Sequence, residues 1–522
     1  MSGRSPRLFV SPAGVHPAVL DRRVRELALL AVSALVPLAL ALAVSLEVPK
    51  PNLLLALAAI VGALGVVALV VSTRLEVTVT LLVVYLGLLD GPIKLGVGGY
   101  GSAASAVRNV LIFAVALGAL LRLLVKRERV RLPPLSGWVL AFAGVVVLEA
   151  FNPRTHGLLH VLGGYRQQLQ WVPFFFFGYA VMRSKVRFRQ LFLVLGVIAL
   201  ANAGVATYQS RLSPAQLASW GPGYSERVFP AANGVGGGAR IYVSEGEARV
   251  RPLALGSDEG FSGGTGLIAL PGALALVAIA RRRQRWIAVV FSLGALIGVA
   301  VGAGRLQLVG AGIAAVSFAL LSSLAGRNAS RTLAALLAVV ALAIPAGVVL
   351  ASAAGNGTFK RYESVSFSSS SYKAQLWKNI PHVLSQAPFG VGLGTVGSAS
   401  RFGGKVSELL PEGRGVTGET QYNLLADETG APGLVIWVGL ALSVMLLAVR
   451  RLRYIADPEL RLAVAGVAAP VFALLLMGFS GYLGASAALG PYYWFAAGVA
   501  SYWLTGASGT SGAVVRSRHE SA

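Results

Sequence analysis

The sequence predicts an all-α integral membrane protein, a bundle of about 14 transmembrane helices with two long extracytoplasmic loops, the second containing an amphipathic helix. Three observations carry this. The first is composition: of 522 residues 55% are hydrophobic and 13% charged, with a mean hydropathy of +0.70, whereas a soluble chain has about a quarter of its residues charged. The second is a series of apolar runs near 20 residues, the length that crosses about 30 Å of hydrocarbon. The third is the placement of basic residues. Lys and Arg number 45 against 21 Asp and Glu, a net +24, and they gather between alternate runs. Disorder and collagen do not fit this composition, and the absence of cysteine excludes disulfides, thiol chemistry and Cys-ligated metal.

In chain order the runs are 27–46, 53–72, 77–90, 104–124, 137–151, 166–182, 189–208, 265–280, 286–302, 306–324, 332–352, 432–449, 462–480 and 486–504. Those at 77–90 and 137–151 are short for a straight crossing and are expected to be tilted, broken or partly re-entrant. The organisation that follows is a cytoplasmic tail (1–26), N-terminal helices (27–208), an extracytoplasmic loop (209–264), central helices (265–352), a long extracytoplasmic loop (353–431), C-terminal helices (432–504) and a Gly- and Ser-rich cytoplasmic tail (505–522) expected to be disordered. The stretch before Arg22 has no apolar h-region, so no cleavable signal peptide is expected.

With the N-terminus cytoplasmic, the cytoplasmic segments hold Arg22, Arg23, Lys126 to Arg131, Arg183 to Arg189, Arg281 to Arg285 and Arg450-Arg451. About 27 of the 45 basic residues then fall inside, about 12 in the long outer loops and about 6 in the short outer segments. Strung along one membrane face, the basic residues do not form a nucleic-acid interface. In the second loop Ser368–Ser371 are placed to cap a helix in which Tyr372, Leu376, Ile380, Val383 and Leu384 recur at helical spacing, ended by Pro388 and the glycines after it. P-loop, zincin and serine-hydrolase motifs are absent from the sequence.

Ionisable groups at membrane depth are expensive and point to function. Arg108, Arg166 and Arg305 lie near the outer boundary, the side the positive-inside rule does not favour, with few carboxylates nearby in sequence. An Arg either snorkels to the interface or presents its planar fork to an anion. Arg305, in the small-residue hairpin Gly302-Ala303-Gly304-Arg305, fits the second reading best. The second loop adds Lys360, Arg361, Lys373 and Arg401 with Glu408, Glu412, Glu419, Asp427 and Glu428. Most of these read as a solvated face, but the turn from Pro388 to Thr395 and the run from Glu419 to Gly433 give that loop a pattern. Glu428, before Gly430-Ala431-Pro432-Gly433, reads as a residue that caps or braces the following span.

The string LWKNIPHVLSQAPFGVGLGTVG from Leu376, followed by ETQYNLLADETGAPGLVIW from Glu419, resembles the hallmark of the O-antigen ligase and O-antigen polymerase (bacterial polysaccharide polymerase) superfamily. That hallmark is a basic residue ahead of a Trp-containing helix, then P-x-x-G-x-G-x-G, then a polar motif ending in E-x-G-x-x-G before a late span. The stretches RPLALGSDEGFSGGTGLIALPGALAL from Arg251 and GAGRLQLVGAG around Arg305 are similar to that family's outer-loop exit and Arg hairpin. The resemblance covers roughly residues 245–450.

It implies a GT-C-like, metal-independent glycosyltransferase without a cofactor, acting on a polyprenyl-diphosphate-linked oligosaccharide at the outer leaflet of the cytoplasmic (inner) membrane. Its partners would be that lipid-linked glycan, the bilayer and a chain-length regulator, with no nucleic acid. Arg305 would act on the developing charge of the diphosphate, with Lys373, Arg166, Arg361 and Arg251 as further contacts. The base that takes the acceptor proton is typically His in the family's ligases. Here the aligned position is Glu419 or else Gln421, and His382 lies within the helix. That departure favours a polymerase of repeat units over a ligase that transfers a finished glycan to a lipid or protein. A transporter or flippase of lipid-linked glycans is the alternative from another class; it needs charge along a path through the bundle, whereas the candidate charges gather at the outer face.

Overall fold

A computed structural model describes residues 67, 75–97, 104–125, 132–229, 241–244, 247–324, 372–397, 399 and 420–506, apart from single positions within these stretches. The expected spans at 27–46, 53–72 (apart from residue 67) and 332–352 lie outside the described residues. Within them the chain is built of helices, and seven are long and apolar enough to cross a membrane, the architecture of a helical membrane protein. The only strands among the described residues form one hairpin, β1 (Ile241–Ser244) antiparallel to β2 (Glu247–Val250).

The helices are α1 (Leu75–Gly96), α2 (Ala104–Val125), α3 (Ser136–Glu149), α4 (Gly157–Leu169), α5 (Pro173–Val181), α6 (Lys185–Gln209), the short α7 (Pro214–Ala218) and α8 (Pro222–Val228), α9 (Phe261–Ile279), α10 (Arg282–Val301), α11 (Arg305–Leu324), α12 (Tyr372–Gln386), α13 (Gln421–Arg451), α14 (Pro458–Met477) and α15 (Leu489–Trp503). At the centre stands α9, buried at every residue from Phe261 to Val277. A helix apolar all round can be buried all round, and α9 packs against α6, α10, α11 and α14. Its partner in burial is α15, enclosed from Leu489 to Tyr502.

Close crossings depend on small residues, as expected where lipid removes the hydrophobic drive for helix association. Where α5 crosses α15, a Cβ at Gly178 would collide with the carbonyl oxygen of Phe495, and one at Gly498 with that of Phe175. Around this crossing aromatic rings interlock: Trp437 stacks on Tyr493 with centroids 4.3 Å apart, and Phe142 lies against Trp494.

Charged pairs fix which helix ends share a side. Arg187 at the start of α6 lies 3.8 Å from Glu76 at the start of α1, Arg189 lies 3.0 Å from Glu459 at the start of α14, and Lys185 pairs with Asp457. These partly exposed pairs each contribute little stability, but they place the first turns of α1, α6 and α14 at one end of the bundle.

Three elements differ from the sequence expectation. The run expected to span at 166–182 is two helices, α4 and α5, because Pro173 has no N–H to continue the first and restricts the residue before it. The span expected from 432 begins at Gln421, where the Thr420 hydroxyl caps by accepting from the Asn423 N–H at 3.1 Å, and it is kinked at Gly430 (φ 62°). The short run at 77–90 extends to Leu75–Gly96 by way of two π-turns, Tyr85–Leu89 and Ile93–Val97, on either side of Asp90-Gly91-Pro92. Inserted π-turns recur at functional positions. The helix expected in the second loop is α12, over Tyr372–Gln386.

Gly498→Leu is expected to lower the thermal midpoint of the detergent-solubilised protein sharply, since overpacking costs about 1–3 kcal/mol and more where backbone is the obstacle. Gly312→Ala, whose added Cβ meets nothing within 4 Å, serves as the control and should leave the midpoint unchanged.

Candidate anion-binding site

The last turns of α4 carry the polar run Arg166-Gln167-Gln168-Leu169-Gln170, followed by Trp171. Gln167 and Gln168 are both buried, so their amides need partners, and they find them on two distant segments. The carboxyl group of Glu428, fully buried on α13, accepts from Gln167 Nε2 at 3.1 Å, from Gln168 Nε2 at 2.7 Å and from the Gly394 N–H at 3.0 Å. Gln167 also donates to the Val396 carbonyl (3.2 Å) and accepts from the Ala399 N–H (3.2 Å). The Tyr482 hydroxyl donates to the Gln167 carbonyl at 2.9 Å.

The Gly-rich turn between α12 and the end of that network lies across the kink of α13. The Val391 N–H donates to the Asp427 carbonyl (2.7 Å) and the Ala431 N–H to the Pro388 carbonyl (2.8 Å). Gly390 (φ 100°) and Gly430 face one another so closely that a Cβ on Gly430 would collide with the Pro388 carbonyl. The two motifs singled out in the sequence are therefore one interlocked piece. Glu428 braces this piece against α4 rather than capping its own helix.

Beside the network, side chains from five segments assemble charge. Arg108, 5% exposed on α2, donates to Asp90 Oδ2 on α1 at 3.2 Å and lies 5.2 Å over the Trp171 ring. Arg227 on α8 pairs with Asp258 at 2.5 Å. Lys94, buried one turn after Asp90, is in electrostatic contact with Arg108, Arg227, Asp90 and Asp258, and Arg166 with Arg108 and Asp90. Among the described residues of this cluster, four cations thus lie near two carboxylates. Arg166 is largely buried and makes no hydrogen bond or ion pair among the described residues. Two buried amides on α6 hold the segment that carries Asp258. Asn202 accepts from the Leu255 N–H (3.0 Å), and Gln209 exchanges two hydrogen bonds with Ala254 (2.7 and 3.1 Å), which adopts φ 55°.

Of the residues expected from sequence to bind or react, Arg166 stands in this cluster. Arg251 does not; it is 3.4 Å from Glu259 in an ion pair. Gln421 is buried at the start of α13. Its N–H donates to the Gly478 and Gly481 carbonyls (3.0 and 3.1 Å), and its Oε1 accepts from the Gly484 N–H at 3.4 Å. With Gln167, Gln168, Trp171, Trp437 and Tyr482 it lines an aromatic cavity of about 20 Å³, room for one water. Arg305 opens α11 and Lys373 lies in the first turn of α12. The side chains of both lie outside the described residues, as do Arg361 and Glu419 altogether. Arg108, thought short of a carboxylate, has Asp90, 18 residues back in the chain. Asp90, Lys94, Arg227 and Asp258 were not singled out by sequence. The available signal was a charged pair, Asp90 and Lys94, inside an apolar run.

No protein-family model matches the chain, and no match is found among curated proteins.

Burial raises the Asp258 carboxyl, but Arg227 and Lys94 together with the Arg227 hydrogen bond outweigh it and hold the group down at about 2, below its ordinary 3.8. The linkage runs in the direction of a depressed acid: the stabilisation is complete above the ordinary value and is lost as pH falls from about 4 towards about 2. The thermal midpoint should fall over that window, and an Asp258→Asn variant should show a shallower fall over it. Glu428→Leu leaves the Gln168 amide and the Gly394 N–H without this acceptor, at about 1–3 kcal/mol each, and removes one of the two acceptors of Gln167. The expected result is a drop in midpoint of more than about 5 °C, measured by intrinsic fluorescence on heating.

Proposed function

We propose that the chain is an integral-membrane glycosyltransferase that polymerises polyprenyl-diphosphate-linked glycan repeat units at the outer leaflet of the cytoplasmic membrane. The observation that carries this reading is Arg166: a largely buried arginine within electrostatic reach of Arg108 with no ion pair or hydrogen bond among the described residues, one residue before the Gln167 and Gln168 amides of the Glu428 network. Such a group favours an anionic partner. The motif resemblance supplies its chemical identity.

In the proposed reaction a hydroxyl of one lipid-linked glycan attacks the anomeric carbon of another. The new glycosidic C–O bond forms, the bond from that carbon to the diphosphate oxygen breaks with its electron pair, and polyprenyl diphosphate leaves. Arg305, Lys373, Arg361 and Arg166 stabilise the charge that grows on the leaving oxygen. The acceptor proton passes to Glu419. Gln421 is an amide already engaged with the chain around Gly484, so it positions rather than takes a proton. The charged end of the bundle faces outward in this proposal. The opposite end, with the Lys185 to Arg189 run, is cytoplasmic, and 27–46, 53–72 and 332–352 complete 14 spans with both termini inside.

Purified protein incubated with lipid-linked repeat units, without ATP or divalent metal, should yield longer glycans. Arg166→Gln, Arg305→Ala and Glu419→Gln should each slow elongation about 100-fold or more. A normal ladder of chain lengths from all three would sink the site assignment, and a strict requirement for a divalent metal would overturn the Arg-based mechanism. The cysteine-free sequence makes sidedness directly readable. A Ser219→Cys protein should react with an impermeant maleimide in intact cells, and an Arg453→Cys protein only after lysis.

A further inference from the structure

We propose that the Gly-rich turn from Pro388 to Gly394 is seated in the bilayer, where Phe389, Phe151 and Leu158 form a patch covered by lipid of the leaflet opposite Arg450-Arg451, the outer leaflet in the orientation given above. The inference needs only that the chain spans a membrane, and it stands apart from the glycosyltransferase reading.

Among the described residues Phe151 is 81% exposed and Phe389 70%, and Leu158, in the first turn of α4, is exposed as well. The Asn152 side-chain amide donates to the Gly390 carbonyl at 3.2 Å, so the residues that follow the two phenylalanines touch and bring both to one part of the surface. A single exposed apolar residue is ordinary, whereas a group of them marks a protein or membrane contact. The helices that carry this group show which. On α13 the exposed residues Val435, Leu442, Leu446 and Val449 recur at helical spacing along one face of a membrane-length helix. That face runs back to Ala431, whose N–H donates to the Pro388 carbonyl at 2.8 Å, one residue before Phe389. On α3 the exposed Leu140, Val147 and Phe151 make a second such face. The patch therefore continues two stripes that lipid covers. Nineteen residues separate Ala431 from Arg450, about 28 Å of helix against about 30 Å of hydrocarbon. With Arg450-Arg451 at one boundary, the turn beside Ala431 lies at the other.

The main chain of the turn meets the demand that lipid makes of it. Irregular backbone persists at membrane depth only where the protein itself satisfies its polar groups. Pro388 has no N–H. The N–H groups of Gly390 and Val391 donate to the Ala387 and Asp427 carbonyls (2.9 and 2.7 Å), and those of Leu393 and Gly394 to Thr155 Oγ1 and Glu428 Oε1 (both 3.0 Å). The Pro388 and Gly390 carbonyls are taken by Ala431 and Asn152. A turn in water needs few of these bonds. Charge is missing too, since residues 379–400 contain no Lys, Arg, Asp or Glu. A turn that spends its polar groups inward and presents a phenylalanine outward is suited to the boundary of headgroups and acyl chains. A lipid-borne substrate then reaches it sideways, without leaving the bilayer.

The cysteine-free sequence permits a direct test. Phe389→Cys, Phe151→Cys and Glu226→Cys, the last an exposed control on α8, are each labelled with the fluorophore NBD, and the full-length proteins are placed in phosphatidylcholine nanodiscs with or without nitroxide-bearing lipid. At Phe389→Cys and Phe151→Cys the emission should be blue-shifted from the control and should lose about half its intensity or more to a nitroxide near the headgroup, as befits a probe about 5–10 Å into that boundary. The control emission should not change, and all three thermal midpoints should match the parent. Emission at Phe389→Cys that resembles the control and escapes quenching places the turn in water and overturns the inference. Blue-shifted emission without quenching means that protein covers the turn and overturns it equally, as does quenching confined to Phe151→Cys. Because the measurement needs neither turnover nor sidedness, quenching in a protein that fails to elongate lipid-linked repeats would sink the polymerase reading and leave this one standing.

Discussion

The carboxyl group of Glu428 accepts hydrogen bonds from Gln167 and Gln168 on α4 and from the main chain of Gly394, and much of the site geometry depends on this arrangement. A carboxyl at zero exposure is tolerable only when its oxygens are occupied, so three segments far apart in sequence are obliged to meet at it. The meeting place sets the depth of the Gly-rich turn, because Gly394 must bring its N–H within reach. It also sets the rotation of α4, because two adjacent glutamines must face the same acceptor. The neighbouring Arg166 then has its direction determined by residues it does not touch.

From α4 the constraint passes to the charges. Trp171 follows the helix directly, donates from its indole N–H to the Gly484 carbonyl at 2.8 Å, and supplies the ring under Arg108. Arg108 in turn pairs with Asp90, so α1 and α2 are referred to the same point. Removing a charge from water costs several kcal/mol even after relaxation, and neighbouring cations add repulsion. Part of the energy that holds Lys94, Arg108 and Arg227 near one another beside Asp90 and Asp258 therefore comes from the packing of the helices that carry them.

Hydropathy located most of the described spans to within a few residues, since a 20-residue apolar run has few alternatives once it must satisfy its backbone in lipid. The division of 166–182 was legible in Pro173 and in the polar run from Tyr165 to Gln170, but the apolar average over the window concealed it. The early start of α13 at Gln421 was concealed in the same way, since Asp427 and Glu428 read as loop residues and belong to a buried helical turn. In the charged cluster, residue type pointed to Arg166 and Arg108 because an arginine at the edge of an apolar run is conspicuous in one dimension. Asp90 and Lys94 required knowledge of which helix end meets which, and Arg227 with Asp258 required the path of the chain through α8 and back past Ala254. Arg251, which its motif context suggested as a ligand contact, is paired with Glu259, a carboxylate eight residues on.

The polar groups at this end of the bundle coincide with interruptions in its helices. The π-turns of α1 flank Asp90, the break between α4 and α5 falls at Trp171, and the kink of α13 falls at Gly430, two residues after Glu428. Each interruption frees main-chain groups that lipid cannot satisfy. Side chains and loop main chain supply part of what is missing: Asn202 donates to the Gly87 carbonyl within the first π-turn at 2.9 Å, Trp171 and Tyr482 tie the region of the break, and Ala431 just past the kink donates to Pro388. A straight helix would have carried Asp90 and Glu428 past their partners, and a fully apolar lining would have left the broken turns unpaired. The interruptions and the polar side chains therefore stabilise one another, and the helix breaks and the buried polar layer are one feature of the fold.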